Sequence, residues 1–396
     1  MGRFPEYFEP HSLLEAARAI DGLEDFGNDD FREPMGVLAS SFGKADLHKG
    51  GARVLRGSMV RNLRNRLRLQ DWCRRHPEIE DEVIDQPIVV MGMMRSGTTL
   101  VQRLLASDPR HYCTQGWEAA EPSPAPDWNP AGEDPRIAAG EAYEQQLRQF
   151  APDYFSIHPS YAHGAEEEIL FLSDGFLSHI PEASCDVTAY RSWINDQDFR
   201  PAYRHLRRTL QILQWQKKQR GETAERWVLK TPAHLGYLEA LFETFPDLHI
   251  VHMHRDPLEI IPSGASLNTI IWRMHNDDVD PAIVGQQWLD RMRWTNDRAL
   301  EVRSRRHDIE ARITDLYFAE TVRDPVGQIE KVYTDAKIQF AEAGREAMES
   351  WLAEDRQDPR AAHRYSPEDF GLSVEGIEES FAAYKSRFGL LAEPEG

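Results

Sequence analysis

The residues with the clearest chemical potential form a glycine loop in the first third of the chain. The run Gly92-Met-Met-Arg-Ser-Gly-Thr-Thr99 carries two glycines, a cation at Arg95 and two terminal hydroxyls. Glycines let backbone N–H groups approach an anion closely, and a helix that opens near Thr98 adds its unsatisfied N–H groups and positive dipole end. We therefore predict a phosphate-binding loop, in which the anion is held by Ser96, Gly97, Thr98 and Thr99.

The same loop lacks the residue that a nucleoside triphosphatase needs. A lysine directly after the second glycine would reach the β and γ phosphates, but this chain has Thr98 there and its cation at Arg95. An ATP or GTP hydrolase is therefore disfavoured. A phosphotransferase that uses Mg²⁺ stays an alternative, and so does a nucleotide-binding scaffold without turnover, because fold does not fix function.

Short apolar runs supply the elements that must position this loop. Residues 87–91 predict a buried strand before it and residues 100–106 a helix after it, with further strands at 227–230, 248–253 and 313–317. Strands that alternate with helices predict an α/β fold of the P-loop type, in which helices flank a central, largely parallel sheet in three layers.

Residues 1–85 lack a strand pattern and predict a helical extension packed on a core domain of residues 86–396. Within it, the basic residues of 59–76 predict a solvated helix face.

Several separated segments resemble the sulfotransferases that use 3′-phosphoadenosine 5′-phosphosulfate. Residues 87–100, with Arg before Ser-Gly-Thr-Thr, look like the 5′-phosphosulfate loop of the bacterial sulfotransferase-like family. Residues 227–235, 252–263 and 363–372 resemble later segments of that family in order and spacing. One departure is Phe318-Ala-Glu320, which stands where the family often has Tyr-Glu-Asp.

The resemblance implies a reaction and a set of cofactor-binding residues. The enzyme would transfer a sulfuryl group to a hydroxyl or amine of a small-molecule, lipid or carbohydrate acceptor, release 3′-phosphoadenosine 5′-phosphate, and require no metal. Arg255 and Ser263 correspond to the family's 3′-phosphate ligands, and Arg364 joins the cofactor-binding set. Arg95 would offset charge at the 5′-phosphate. Lys230, at a predicted strand end, would contact the sulfuryl oxygens, or else form a structural salt bridge.

Two residues compete for the role of the base that takes the acceptor's proton. Glu118 resembles the carboxylate that some related enzymes use in this region, and His234 resembles the histidine that others use. A histidine titrates near neutral pH, whereas a glutamate needs burial to raise its pKa usefully. Position within the family favours Glu118, but a surface carboxylate or a backbone-bonded histidine would leave either residue without a catalytic role.

Composition limits the partners and the compartment. The 396 residues include 66 acidic and 46 basic ones, and the net charge of −20 opposes attraction to nucleic acid or to an anionic membrane. Cys73, Cys113 and Cys185 are too few and too far apart to suggest a disulfide framework or a structural zinc site. The apolar stretches of the sequence are too short to predict a membrane-spanning helix. We predict a cytoplasmic protein without a membrane span, and the pattern does not decide its oligomeric state.

Overall fold

The computed structural model describes residues 4–355 and 365–390. This part of the chain divides into two compact units. The first, called the helical unit here, contains residues 4–84, 114–223 and 270–279. The second, called the sheet unit, contains the described residues of 85–113, 224–269 and 280–390. Residues 4–84 thus group with later segments of the chain, and the division at residues 85 and 86 stays a prediction.

The sheet unit is built on five parallel strands. They are β1 (Ile88–Gly92), β2 (His111–Cys113), β3 (Arg226–Lys230), β4 (His249–His254) and β5 (Ile313–Tyr317), in the spatial order β2-β3-β1-β4-β5. Every residue of β1 is buried, which is typical of a parallel strand whose two faces are both covered. The predicted α/β class with a parallel central sheet is confirmed. The sequence pattern did not predict β2, which has only three residues.

Helices make up most of the remaining described chain. In chain order they are α1 (Pro10–Asp21), α2 (Arg32–Lys44), α3 (Lys49–Arg75), α4 (Thr98–Ser107), α5 (Gly116–Ala120), α6 (Pro135–Phe150), α7 (Pro152–Ile157), α8 (Ile169–Ser173), α9 (Thr188–Ile194), α10 (Arg200–Gln219), α11 (Leu238–Thr244), α12 (Pro257–Arg273), α13 (Pro281–Arg305), α14 (His307–Glu310), α15 (Phe318–Arg323), α16 (Pro325–Asp335), α17 (Glu342–Asp355), α18 (Val374–Ser380) and α19 (Ala382–Phe388). Short 3₁₀ turns occur at Pro5–Phe8, Pro77–Ile79, Ile180–Ala183, Pro232–Tyr237 and Pro367–Phe370. Among the described helices, none has the length and apolarity needed to cross a bilayer.

The core of the sheet unit fixes the strand, loop and helix that carry the glycine loop. Apolar residues of β1 and α4 pack with those of β3, β4, β5, α16 and α17 in one buried cluster. Its members include Ile88, Val90, Val101, Leu104, Val228, Val251, Leu316, Ile329 and Met348. Burial of a full aliphatic side chain stabilises a fold by roughly 1.5–3 kcal/mol, so this cluster holds β1 and α4 firmly in place. The glycine loop is therefore fixed at both of its ends.

Two basic residues of α3, Arg66 and Arg68, do not lie on the solvated face that the sequence predicted for residues 59–76, whereas Arg74 and Arg75 are exposed. Arg66 and Arg68 are buried, and each is ion-paired within the helical unit. Arg68 bonds Asp21 at 2.7 Å and Glu121 at 2.7 Å. That prediction was wrong because the carboxylates that compensate these arginines lie far away in sequence, where helix periodicity gives no sign of them.

Candidate active site

The glycine loop has the backbone that its sequence requires. A Cβ added at Gly92 would lie 2.6 Å from the backbone oxygen of Met253 and 2.7 Å from Ser96 Oγ, so no larger residue fits there. Gly97 has φ +98°, in the left-handed region that favours glycine, and it precedes α4 without a side-chain cap. The first N–H groups of α4 are therefore not capped by that residue's side chain, which suits an anion.

A buried hydroxyl inside this loop supports the same interpretation. Ser96 is fully buried, and its Oγ has no hydrogen-bond partner among the described residues. A buried polar atom without a partner costs roughly 1–3 kcal/mol, and such atoms are rare unless a ligand or water satisfies them. The loop residues thus fit an anionic group, which would supply the missing partner.

The residues predicted for the 5′-phosphosulfate and those predicted for the 3′-phosphate lie close together in the sheet unit. Arg95 Nε donates a hydrogen bond to Ser263 Oγ at 3.2 Å. Arg255, directly after β4, donates from Nη1 to the backbone oxygen of Arg95 at 3.1 Å. Arg255 also pairs with Glu259, in the first turn of α12, at 2.7 Å. These contacts connect the glycine loop to the predicted 3′-phosphate residues.

Lys230 extends the same cationic edge of the sheet. It is the last residue of β3 and is 2% exposed, and its Nζ lies 3.5 Å from Thr99 Oγ1. β3 pairs directly with β1, with Lys230 opposite Val90, which brings the lysine beside the loop that follows β1. A buried ammonium group interacts strongly with a nearby anion, because the local dielectric is low.

The two candidate bases have very different surroundings. His234 is buried in the 3₁₀ turn Pro232–Tyr237 that follows β3 in the sheet unit. Glu118 belongs to the helical unit, where it closes the N-terminal capping box of α5 by accepting from Gln115 N at 3.0 Å. Its carboxylate also accepts from Lys217 Nζ at 2.8 Å and from Arg220 Nη2 at 3.2 Å. A carboxylate with three such donors has little acceptor capacity left for a substrate proton.

A further polar cluster at the ends of β4 and β5 was not predicted. Ligand atoms of His252, His254 and Asp315 lie within 4.8 Å of one another, close enough to hold a metal ion. Buried Arg303 donates to His252 Nδ1 and to Asp315, both at 2.8 Å, so a guanidinium cation already engages two of the three residues. Burial lowers the pKa of both histidines. Burial alone would raise the pKa of Asp315, but hydrogen bonds from Arg303 and His254 hold it well below its usual value.

Another contact that sequence reasoning missed involves Phe318, whose ring lies under the guanidinium of Arg255. The available signal was its place directly after β5, beside the strand that ends before Arg255. Arg364, the remaining predicted cofactor residue, lies outside the described residues.

Comparison with known proteins gives a consistent result. A family model described as "Sulfotransferase family" matches residues 87–342, which include the glycine loop and all five strands. The omega-hydroxy-beta-dihydromenaquinone-9 sulfotransferases Stf3 of Mycobacterium bovis and Mycobacterium tuberculosis are each 23% identical over 329 residues, covering 78% of this chain and 76% of theirs.

Two crystal structures are similar over nearly the whole chain. Sulfotransferase STF1 from Mycobacterium tuberculosis has a TM-score of 0.82 and 31% identity, covering 94% of this chain and 98% of its own. Sulfotransferase STF9 from Mycobacterium avium has a TM-score of 0.85 and 26% identity, covering 98% and 97%.

Proposed function

The chain belongs to the sulfotransferase family, and we propose that its sulfuryl donor is 3′-phosphoadenosine 5′-phosphosulfate. The predicted family and enzyme class are thereby confirmed, and the chain is a sulfotransferase. The observation that carries the donor proposal is the contact series from Ser263 through Arg95 to Arg255. It joins an anion-binding loop to a second cationic group, which suits a nucleotide that bears phosphates at both its 5′ and 3′ positions.

In this proposal the loop and α4 bind the 5′-phosphosulfate. Backbone N–H groups at Gly97, Thr98 and Thr99 bind its oxygens, and the buried Ser96 hydroxyl gains the partner that it lacks among the described residues. Arg255 and Ser263 bind the 3′-phosphate, for which the planar guanidinium offers paired N–H donors. Arg364 remains a predicted further ligand.

The donor supplies a sulfuryl group whose sulfur bonds to the acceptor atom as its bond to the 5′-phosphate oxygen breaks. Arg95 offsets the negative charge that develops on the departing phosphate, and Lys230 binds the sulfuryl oxygens. Both roles are electrostatic stabilisation by groups that are already in place. We propose no metal in this step, because the chain's own cations meet the developing charge.

We propose His234, rather than Glu118, as the base. Family position favours Glu118, but its contacts with Lys217, Arg220 and Gln115 favour a structural role. His234 follows Lys230 by four residues in the sheet unit. The imidazole of His234 would take the acceptor's proton as the bond to sulfur forms.

The proposed acceptor is a hydroxyl group on a small molecule, lipid or carbohydrate, with an amine as the alternative. The Stf3 relatives are named for omega-hydroxy-beta-dihydromenaquinone-9, a lipid-like molecule that carries a hydroxyl group. Hydroxylated lipids are therefore the first class of acceptor to test. The net charge of −20 disfavours a polyanionic acceptor such as nucleic acid.

Calorimetry tests the donor proposal without knowledge of the acceptor. We expect adenosine 3′,5′-bisphosphate to bind more tightly than Mg-ATP. We also expect Arg255→Ala to lower the affinity for the bisphosphate. Arg305→Ala, which removes a surface arginine of α13, is the matched control and should bind like the unmodified protein. A preference for Mg-ATP would instead favour the phosphotransferase alternative. Bisphosphate binding without any sulfuryl transfer would favour a scaffold.

A further inference from the structure

Sheet topology brings Phe318 next to the arginine that the proposed function assigns to the 3′-phosphate. β4 and β5 are parallel neighbours, and their last residues, His254 and Tyr317, are paired in register. The next residues in each strand's continuation, Arg255 and Phe318, therefore leave the same edge of the sheet side by side. Phe318 is also the first residue of α15, which anchors its backbone.

The ring of Phe318 stacks on the guanidinium of Arg255. The Cζ atom of Arg255 lies 3.9 Å from the ring centroid, well within the range of a cation–π interaction. The arginine side chain is 26% exposed, so it is neither held by burial nor free in solvent. A flat aromatic face restricts a guanidinium to a plane while leaving its N–H groups free to donate at the edge.

Arg255 needs such a support because an exposed acid competes for it. Glu259 accepts from both Nε and Nη2 of Arg255, at 2.8 and 2.7 Å, and its side chain is mostly exposed. These are paired donors of the kind that a phosphate takes up. Without the ring beneath it, the hydrogen bond from Nη1 to the backbone oxygen of Arg95 would be left to oppose the pull of Glu259 on the guanidinium.

The same ring also contacts the glycine loop. A Cβ built on Gly97 would lie 2.8 Å from Phe318 Cδ2, so the ring edge packs directly against this residue. Phe318 thus touches the loop assigned to the 5′-phosphosulfate and the arginine assigned to the 3′-phosphate. As a phenylalanine, it offers a ring face without a hydroxyl.

We propose that Phe318 is a positioning residue that sets the donor site's preference for a 3′-phosphate, by holding Arg255 in the plane in which its N–H groups meet that phosphate. The inference rests on the proposed donor. It assigns to Phe318 no contact with the reacting atoms.

The test compares two ligands that differ only in the 3′-phosphate. Calorimetry gives the affinities of adenosine 3′,5′-bisphosphate and adenosine 5′-phosphate for the unmodified protein and for Phe318→Leu, Phe318→Met and Phe318→Tyr. Leucine and methionine keep apolar bulk without a ring, whereas tyrosine keeps the ring. We expect the affinity ratio of the two ligands to fall about two- to thirtyfold in the Leu and Met variants and to be retained in the Tyr variant. Affinity for the monophosphate should change little.

A double-mutant cycle separates this role from simple packing. Because Phe318 acts through Arg255, Phe318→Leu should reduce the ratio no further when it is added to Arg255→Ala. An equal loss of both ligands, or the same loss with and without Arg255, would overturn the inference, since it would mean that the ring serves only the loop. Use of two ringless variants guards against one that fails to fold.

Two further outcomes distinguish a failure of the proposed donor from a failure of the proposed role of Phe318. If the unmodified protein does not prefer the bisphosphate, the proposed donor fails and the inference with it. If it does prefer the bisphosphate and Arg255→Ala removes the preference, but both ringless variants keep it in full, the inference alone is contradicted.

Discussion

Two groups of charged side chains in this chain have opposite compositions. Around Glu118, in the helical unit, the carboxylate is matched by two cations, and Lys217 is 3% exposed. At the donor site of the sheet unit, three cations lie beside the glycine loop, and one of them, Arg255, also pairs with the exposed carboxylate of Glu259. Arg95 contacts Ser263 Oγ, Lys230 contacts Thr99 Oγ1, and Arg255 contacts a backbone oxygen. The first arrangement surrounds a buried carboxylate with cations, whereas the second groups three cations beside an anion-binding loop, so the similar burial of Lys217 and Lys230 does not by itself distinguish the two roles.

The largest effect is expected from replacing Lys230, which tests whether the cations of the donor site serve catalysis. We expect Lys230→Met to reduce kcat about 10²–10³-fold, the range found when one donor to a developing negative charge is deleted. Stability should change little, because a buried ammonium group is costly to desolvate. Rates of 3′-phosphoadenosine 5′-phosphate formation and urea titrations would measure the two effects. A large loss of stability with unchanged kcat would make Lys230 the structural salt bridge that the sequence left open.

The matching change in the helical unit should show the reverse pattern. Lys217→Met leaves Glu118 buried with Arg220 as its remaining cation, and should lower the free energy of unfolding by about 3 kcal/mol. Adding Glu118→Gln should recover part of that loss, since it removes a buried charge that has lost one of its two cations. Urea unfolding of the single and double variants measures this. A stable Glu118→Gln protein without sulfuryl transfer would instead restore Glu118 as the base.

Backbone conformation at Gly97 gives a smaller effect that is specific to the donor loop. Alanine there must adopt φ +98° and meet the ring of Phe318, so we expect a stability cost of about 1–2 kcal/mol. Bisphosphate affinity should fall together with it, because the loop carries the anion-binding N–H groups. Alanine at Gly221, also at positive φ but with nothing within 4 Å of the added Cβ, is the control for backbone strain alone. Equal bisphosphate binding by the Gly97→Ala and Gly221→Ala proteins would argue against an anion at the loop.

A matched charge pair inside the sheet unit should affect stability in a pH-dependent way. Burial alone would raise the pKa of Asp108, but hydrogen bonds from Arg110 and Tyr333 lower it to about 2. Since the folded pKa lies below the unfolded value, this stabilisation is present above about pH 4 and is lost as the pH falls toward 2. Asp108→Asn should therefore flatten the stability curve across that window. An unchanged curve in acid unfolding experiments would show that the pair contributes nothing.

Local sequence patterns predicted the parts of the molecule that depend on local chemistry. The glycine loop, β1, β3, β4 and β5 are where apolar runs and glycines indicated them. The residues that were predicted less well depend on distant partners. The environment of Glu118 is set by Lys217, 99 residues away, and the ring that supports Arg255 comes from a strand-to-helix junction at Phe318. No periodicity or motif spacing encodes those contacts, because they arise only when the chain has folded.

The most direct test of the account is to follow 3′-phosphoadenosine 5′-phosphosulfate labelled in its sulfuryl group. The unmodified protein and Lys230→Met would be incubated with the donor and an extract of hydroxylated lipids and small molecules. We predict that 3′-phosphoadenosine 5′-phosphate forms in equal amount to a sulfated product, and that both are nearly absent with Lys230→Met. Equal turnover by the two proteins, or a product that carries phosphate from Mg-ATP instead of sulfate, would contradict the account.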